Sequence, residues 1–503
     1  MMLSKSFFLA VSFCLASQAI ELPQYLQKAS QEVFPTLKAI ADEIYHDPEL
    51  GRDEHHAHDL IVGHFSAQRQ WAVTPHAYDS ETAFEAIFEH IPKGYEGDII
   101  TVGVLAEYDS LPGIGHACGH NHIALNGMAV ATLLSRVLAE YDIPGRVKLV
   151  GCPDEENGAG KFKLNQAGAF DDSVLWFMAH PTAASRVQPM NARLNLFHRF
   201  TEKTHQAAVR SAYEAMTIVR DLRTKLPGTA SSASPITNIG TYAVNVVQSM
   251  VSLGVSGSSI ERVEQSIKSI LDETYPGVDY KISEDKDGVA INITGPGGHA
   301  SETTNGALVL SIETFRDLAK DDGTGFYLPG NTSSLEMDIT VDLRSRYTLD
   351  LPAIAETVNN ALASLGSDVS SDLKYPALEL TPYLPDAFVS LISSPPYSLT
   401  DWAISKQAPA SSDASYIQAA ELDPDTKDVL SIARVVFHPN YRICDPSSQL
   451  PCGFNHEPAF AISSGTEYSY NQTEIVARAE AHLILSLLTD EDKMEKATAL
   501  VKK

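Results

Sequence analysis

Two residues of metal-ligand type, Cys118 and His120, lie in a loop rich in proline and glycine. The loop follows residues 99–105, an apolar, β-branched run that predicts a buried strand, and precedes residues 121–140, which predict an apolar helix. A thiolate and an imidazole are both ligands that transition metals accept. Because ligands bind at the carboxyl edge of open α/β sheets, this loop predicts the first part of a metal site.

Polar side chains of ligand type also follow two further predicted strands. Residues 146–151 lead into the pair Glu155 and Glu156, and residues 174–179 end at His180. Neighbouring acids on a loop point in different directions, so one can ligate a metal while the other accepts a proton as a general base. The pair therefore predicts hydrolytic chemistry in addition to metal binding.

Five side chains of ligand type thus stand at strand ends or in glycine-rich loops. Nitrogen, oxygen and sulfur ligands of this kind suit a pair of divalent ions, which would polarise a carbonyl and activate water. Asp109, in the same loop as Cys118, is placed to orient one of the ligands. The candidate ligands are Cys118, His120, Glu156, His180 and His456.

The elements that must position these residues indicate an α/β fold. Three buried strands that alternate with helices predict a largely parallel sheet flanked by helices, with its site at one edge. The 503 residues exceed the size of one ordinary domain. The formal net charge of −27 disfavours nucleic acid and anionic membranes as partners and fits a soluble protein.

The first 19 residues predict a secretory signal peptide. They contain a short basic region, an apolar core too short to span a bilayer, and a small-x-small site that predicts cleavage after Ala19. Three Asn-x-Ser/Thr sequons, at Asn292, Asn331 and Asn471, fit a secreted glycoprotein. We therefore expect the mature protein outside the cell.

The composition changes after residue 189, where alternating patterns and amphipathic helices replace continuous apolar strands. We predict an inserted α+β domain at residues 190–375 between the two parts of a catalytic domain, residues 20–189 and 376–503. The insertion reads as two pseudo-repeats, about residues 190–275 and 276–375. Each repeat has a strand, a histidine before a helix, and a second strand and helix.

The C-terminal region predicts a disulfide, a long helix and a tail. Cys444 and Cys452 flank a short polar loop, and two such cysteines are expected to pair in an oxidising compartment. Cys152, in an apolar strand, is expected to be a buried thiol. Residues 471–488 predict a helix, and residues 490–503 are expected to form an exposed tail.

In five segments the chain resembles the amidohydrolase branch of the aminoacylase/carboxypeptidase superfamily of metallopeptidases. The resemblance is greatest to the aminoacylase-1-like-2 group, the Xaa-Arg/β-alanyl-lysine dipeptidases. The segments are EYDSLPGIGHACGHN at residues 107–121, PDEE at 153–156, AHP at 179–181, GHA at 298–300 and NHEP at 455–458. Residues 46–51, HDPELG, also fit.

The resemblance implies a catalytic domain with two divalent metal ions, interrupted by a lid domain. The ions would be zinc, with manganese or cobalt as alternatives, bound by the five ligands named above, and Glu155 would be the general base. His299 of the lid would bind the oxyanion, and Arg344 would clamp a substrate carboxylate. Asn331, at the head of a lid strand, is a further candidate for substrate binding.

Two departures from the family pattern leave alternatives open. The lid is doubled, so the chain would mimic the usual dimer and remain a monomer. His299 would then be the functional lid histidine, with His205 as the lesser candidate. An insertion near the C-terminus leaves His438 as an alternative to His456 for the last ligand.

The combined expectation is a secreted, metal-dependent hydrolase of amide bonds in N-acyl amino acids or dipeptides. Two alternatives remain: a secreted carboxypeptidase that acts on longer peptides, and a binding protein that keeps the fold without the chemistry.

Overall fold

A computed structural model describes residues 22–223, 226, 236–239, 247–297, 306–372, 374–449 and 452–502. The predicted signal peptide therefore lies outside the described residues. The chain divides into two compact units. The first contains Met1–Met190, Leu378–Gln407 and Ser412–Lys503, and the second contains Asn191–Ala377 and Ala408–Ser411. The second unit thus begins and ends within two residues of the predicted insertion.

The first stretch of the chain alternates helices and strands. Its elements are α1 Leu22–His46, α2 His55–Ser66, β1 Trp71–Pro75, β2 Phe84–His90, β3 Thr101–Ala106, α3 His120–Glu140, β4 Gly145–Gly151, α4 Glu155–Gly158, α5 Gly160–Gln166, β5 Leu175–Phe177, β6 His180–Thr182 and β7 Arg186–Val187.

The second unit contains eight of the described strands. Its elements are β8 Ala192–Thr201, α6 His205–Leu222, β9 Ile236–Ile239, β10 Met250–Ser256, α7 Ile260–Ile270, β11 Asp279–Asp285, β12 Gly288–Thr294, α8 Ala307–Leu318, β13 Gly325–Tyr327, β14 Glu336–Ser345, α9 Leu351–Leu362 and β15 Asp368–Ser371, with 3-10 turns at Thr348–Asp350 and Ala363–Leu365.

The last stretch of the chain returns to the first unit. Its elements are α10 Leu384–Ser393, β16 Ala403–Ile404, α11 Ser415–Gln418, β17 Glu421–Leu422, β18 Val429–Ser431, β19 Val435–Phe437, β20 Pro439–Arg442, α12 Pro458–Ser463, α13 Glu467–Leu488 and α14 Glu491–Ala497.

A six-stranded sheet, ordered β1-β2-β4-β3-β5-β19, forms the centre of the first unit. β4, β3, β5 and β19 run parallel to one another. β2 pairs antiparallel with β4, and β1 pairs antiparallel with β2. All six residues of β3 are buried, which is typical of a strand with both faces covered. The carboxyl ends of the four parallel strands meet at one edge, as the sequence predicts, and the predicted α/β class is confirmed.

Helix α3 covers this sheet and packs against α1 and α13. By length and composition it is apolar enough to cross a membrane, with a mean hydropathy of 1.3, but 89% of that apolar window is buried inside the protein. Its apolar side chains belong to the core of the first unit, together with those of the sheet. It is therefore the central core helix of this unit.

Two four-stranded antiparallel sheets, ordered β15-β8-β14-β9 and β11-β12-β10-β13, form the second unit. Each sheet is built from two strand–helix–strand segments that interleave in the same way. The first sheet joins β8–α6–β9 to β14–α9–β15, and the second joins β12–α8–β13 to β10–α7–β11.

The pairing exchanges strands between the two predicted repeats. β8 and β9, from residues 190–275, pair with β14, from residues 276–375, while β10 of the first repeat pairs with β12 and β13 of the second. Each four-stranded sheet therefore contains strands of both repeats. The shared arrangement of the two sheets fits a duplication, which stays a prediction.

Of the C-terminal predictions, the disulfide and the long helix, α13, are confirmed, and the exposed tail is wrong. Cys444 and Cys452 form a disulfide, while Cys152 is a buried free thiol. The prediction of an exposed tail is wrong: α14 buries Met494 and Ala497, and the following residues pair with the segment around Ile432. The two buried side chains anchor an otherwise charged helix.

Candidate metal centre

The backbone of the loop after β3 brings Cys118 and His120 together. Gly119, between them, has a φ of +78°, and a Cβ there would lie 2.6 Å from Cγ of Pro181. Glycine alone accepts both conditions without strain. α3 begins at His120, so the thiol of the loop and the imidazole of the first helical turn face the same space.

The five predicted ligands fall into two groups that share one thiol. Within each group the ligand atoms lie within 4.8 Å of one another, and each group could hold a metal ion. The Cys118 sulfur is 3.7 Å from Nε2 of His180. Because Cys118 is common to both groups, its thiolate would be a ligand that the two groups share. The groups are Cys118, His120 and His180, and Cys118, Glu156 and His456.

Asp109 connects one ligand from each group. Its Oδ1 accepts a hydrogen bond of 2.8 Å from Nδ1 of His120, and its Oδ2 accepts one of 2.9 Å from the main-chain N–H of Glu156. This fixes the tautomer of His120 so that Nε2 faces the candidate centre. The Nδ1 of His180 similarly donates to the carbonyl of Pro181 at 2.8 Å, which turns its Nε2 toward Cys118.

The electrostatics of the centre favour charged ligands. Burial and Glu156 raise the pKa of Cys118, but His456, His120 and His180 outweigh them and lower it to about 5. Burial likewise raises the pKa of Glu156, while His456 brings it down to about 2. A thiolate and a carboxylate in this buried space suit divalent cations.

The last candidate ligand, His456, lies in a loop that is hydrogen-bonded to the loop of Cys118. His456 has a φ of +71°, an uncommon conformation for a residue other than glycine, and its main-chain N–H donates to the carbonyl of Ala117 at 2.8 Å. The side-chain amide of Asn455 donates to the carbonyl of Pro181 at 3.0 Å and lies 3.7 Å from the Cys118 sulfur. These contacts position His456 against the cysteine loop.

His438, the alternative to His456, is near the centre but outside both groups. It follows β19, and its ring lies 5.6 Å from that of His180. Burial, and then the charge of His180, lower the pKa of His438 to about 3, so it is neutral. The geometry therefore favours His456 as the ligand.

Glu155, the predicted general base, stands at the start of α4 beside Glu156. Burial raises its pKa well above the usual value, and the charges of Glu107, Asp413 and Glu156 raise it further. Asp154, just before it, is in the left-handed conformation with a φ of +62°. Its carboxylate accepts a hydrogen bond of 2.7 Å from Nε of Arg52, which holds this strained turn in place.

Three residues next to the centre were not assigned a role from the sequence. Glu107 and Asp413 both accept hydrogen bonds from the ammonium of Lys161, and all three side chains are fully buried. Burial lowers the pKa of Lys161, but Asp413 and Glu107 raise it well above its usual value. Glu107 could have been found from its place at the start of the segment 107–121, whereas nothing local predicts a buried lysine.

Of the two predicted lid histidines, the structure describes only His205. His299 lies outside the described residues. His205 uses both ring nitrogens: Nδ1 donates to the carbonyl of Ser334 at 2.7 Å, and Nε2 accepts from the main-chain N–H of Leu328 at 3.0 Å. A histidine so engaged has no donor left for an oxyanion.

The two predicted substrate-binding residues differ in environment. Arg344 is buried, with its Nε 2.9 Å from Oδ2 of Asp342 and Nη1 donating to Ser411 at 3.2 Å. Asn331 is exposed in the loop before β14. The sequons at Asn292 and Asn471 are likewise exposed.

The donor set fits divalent transition metals. Nε2 of His120 is buried and has no hydrogen-bond partner among the described residues, which is costly unless a ligand or an ion meets it. A thiolate, imidazoles and a carboxylate within reach of one another match the ligands of Zn²⁺, Co²⁺ or Cd²⁺ better than those of Mg²⁺ or Ca²⁺. The site is therefore a candidate dinuclear centre.

Known proteins with similar sequences include hydrolases of peptide and amide bonds. The mouse Xaa-Arg dipeptidase is 38% identical over 174 residues, which is 33% of this chain and 40% of that protein. One of the polypeptides of the p-aminobenzoyl-glutamate hydrolase of Escherichia coli is 28% identical over 237 residues, 42% of this chain and 48% of that protein. The aligned regions thus span less than half of these relatives. No protein-family model matches the chain.

A solved structure shares the fold. A candidate aminohydrolase from methicillin resistant Staphylococcus aureus has a TM-score of 0.54 over 93% of this chain and 100% of that chain, at 14% identity. Together with the sequence matches, this confirms the resemblance: over 174 aligned residues the chain is similar to Xaa-Arg dipeptidase, and over 93% of its length it shares the fold of the solved aminohydrolase structure.

Proposed function

We propose that the protein is a secreted, metal-dependent hydrolase of amide bonds in dipeptides or N-acyl amino acids. The observation that carries the proposal is the pair of ligand groups that share Cys118 in the first unit. Two divalent ions bound there would polarise the scissile carbonyl and lower the pKa of water. The names of the homologous hydrolases support this class of reaction.

The residues of the chain would supply orientation and proton transfer. Asp109 holds His120 and the backbone of Glu156, so the ligand geometry is fixed before a substrate arrives. Glu155 would accept a proton from the attacking water on a carboxylate oxygen and then donate it to the leaving amine.

The oxyanion and the substrate carboxylate would be bound by further residues that the resemblance implies. His299 is the candidate donor to the oxyanion, since His205 has both ring nitrogens engaged. Arg344 and Asn331 are the candidates for substrate binding.

The charge of the chain favours cationic substrates. A net charge of −27 raises the local concentration of cations. The mouse relative is named for dipeptides that end in arginine. We therefore infer that dipeptides with a basic C-terminal residue are preferred over acidic ones.

Secretion is part of the proposal. It is supported by the signal-like first 19 residues, the exposed sequons and the disulfide between Cys444 and Cys452. Mass spectrometry of the protein from the culture medium should give Ile20 as the first residue, and a chain retained in the cell with its leader would contradict secretion.

The test of the catalytic proposal combines metal analysis with the variant Glu155→Gln. We expect about two equivalents of zinc, cobalt or manganese per chain in both proteins, and a fall in kcat of about 100-fold or more in the variant because the general base is lost. The exposed Glu495→Gln serves as the control. Undiminished turnover in Glu155→Gln would refute the role of the base.

A substrate screen separates the alternatives. N-acyl amino acids and dipeptides, including Xaa-Arg and Xaa-Lys, are compared with longer peptides at equal concentration. Faster cleavage of the longer peptides would indicate a carboxypeptidase. Absence of both bound metal and chelator-sensitive hydrolysis would indicate a binding protein.

A further inference from the structure

Lys161 lies fully buried beside the candidate metal centre, although the proposed catalysis does not use it. Its ammonium donates to Glu107 and to Oδ1 of Asp413 at 2.6 Å, and its main-chain N–H donates to Oδ2 of Asp413 at 2.9 Å. Burying three charges is costly, and such groups are weak evidence for stability. The role of Lys161 is therefore to be found in the groups that it holds in place.

Glu107 belongs to a third group of residues that could hold a metal ion, together with His120 and Glu155. Its Oε2 lies 3.4 Å from Nε2 of His120 and accepts no hydrogen bond from the residues that the structure describes. This group overlaps the thiol-containing groups at His120. Since Asp109 occupies Nδ1 of His120, the same Nε2 would serve either group.

An ion bound to His120 therefore has two alternative sets of partners. One set is Cys118 and His180, and the other is the carboxylates of Glu107 and Glu155. In the second set Glu155 would be a ligand and could not act as a base. Sulfur and nitrogen ligands favour Zn²⁺, Co²⁺ and Cd²⁺, whereas carboxylates favour Mn²⁺ and Mg²⁺.

We propose that Lys161 is a positioning residue that excludes the carboxylate set. Its ammonium occupies one oxygen of Glu107 and offsets the negative charge that would attract a second ion to that side. An ion at His120 is thereby kept with Cys118 and His180, and Glu155 stays free of metal. The inference rests on the proposed function, because it assumes that the centre binds divalent ions.

The test measures metal preference in the full-length chain stripped of metal. Equilibrium dialysis against Mn²⁺ and against Zn²⁺ compares the wild type, Lys161→Met and the control Lys163→Met, whose side chain on the same helix is 57% exposed. Removing the buried ammonium should raise the affinity for Mn²⁺ relative to Zn²⁺ by about tenfold or more. With Co²⁺, the thiolate charge-transfer absorption per bound ion should fall in Lys161→Met alone.

A second variant covers the case in which Lys161→Met fails to fold. The double variant Lys161→Met/Asp413→Leu removes one buried charge of each sign. It still deprives Glu107 of the hydrogen bond from the Lys161 ammonium. An unchanged Mn²⁺ to Zn²⁺ ratio and an unchanged Co²⁺ spectrum in the folded variant would overturn the inference. A wild type that binds no metal would instead overturn the proposed function, so the two failures are distinguishable.

Discussion

Asp109 is the residue on which the geometry of the candidate centre depends most directly. It accepts hydrogen bonds from Nδ1 of His120 and from the backbone of Glu156, one ligand in each group. Asp109→Asn keeps the shape but replaces one acceptor oxygen with an amide donor. We expect metal affinity to fall by about 10- to 100-fold, as for other residues that orient ligands.

Equilibrium dialysis with Zn²⁺ measures this loss, and Asp53→Asn, an exposed position of the same unit, is the control. Affinity equal to that of the wild type would mean that the ligands are held by the backbone alone.

At the scale of single residues, the sequence predicts what local spacing encodes. Cys118 and His120 are recognisable because a glycine separates them directly after a strand. Lys161 was not recognisable, since its buried partners Glu107 and Asp413 lie 54 and 252 positions away. Pairing of that kind is a tertiary property, and a lysine in a glycine-rich loop otherwise predicts an exposed charge.

At the scale of elements, His205 has a structural role: its side chain connects the start of α6 to the loop between β13 and β14. It begins α6 and links Ser334 and Leu328, which flank the loop between β13 and β14. His205→Ala would leave a partly buried N–H and a partly buried carbonyl without this partner. We expect a loss of about 1–3 kcal/mol in the free energy of unfolding with kcat unchanged.

Urea unfolding and steady-state kinetics check this, with the exposed Lys203→Ala as the control. A collapse of kcat at unchanged stability would transfer the oxyanion role from His299 to His205.

The strands were predictable as elements, but their partners were not. β3 and β5 are apolar and buried throughout, and β4 is buried at every position except Arg146, so each is visible in the sequence. The exchange of strands between the two repeats was invisible, because the alternation of side chains records which face is buried and not which strand lies alongside. α14 was missed because only Met494 and Ala497 are buried in it.

At the scale of the molecule, the exchanged repeats bear on oligomeric state. The strands of residues 190–275 find their partners in residues 276–375 of the same chain. A chain that pairs its own two repeats needs no second copy to complete these sheets. We therefore expect a monomer of 54.6 kDa, less the signal peptide and plus any glycans, in sedimentation velocity at micromolar concentration. A stable dimer that dissociates on mutation of the second unit would contradict this.

Glu480 should make the stability of the molecule fall as the pH rises. This residue of α13 is fully buried, and burial raises its pKa from 4.5 to about 8, against a smaller lowering by Asn126. Between those values the folded chain keeps a proton that the unfolded chain releases. Stability therefore decreases from about pH 4.5 to pH 8, by at most about 5 kcal/mol from this group.

Glu480→Gln isolates this contribution, because glutamine is neutral at every pH. The stability of the variant relative to the wild type should be nearly constant below pH 5 and should increase by several kcal/mol toward pH 8. The pKa shift sets the upper limit of this increase. Urea unfolding of metal-free protein at a series of pH values measures the difference, with the exposed Glu495→Gln as the control. A difference that does not change with pH would mean that the buried carboxyl is ionised in the folded protein. A chain with a net charge of −27 also repels itself less as acid neutralises it, so both effects favour an acidic medium.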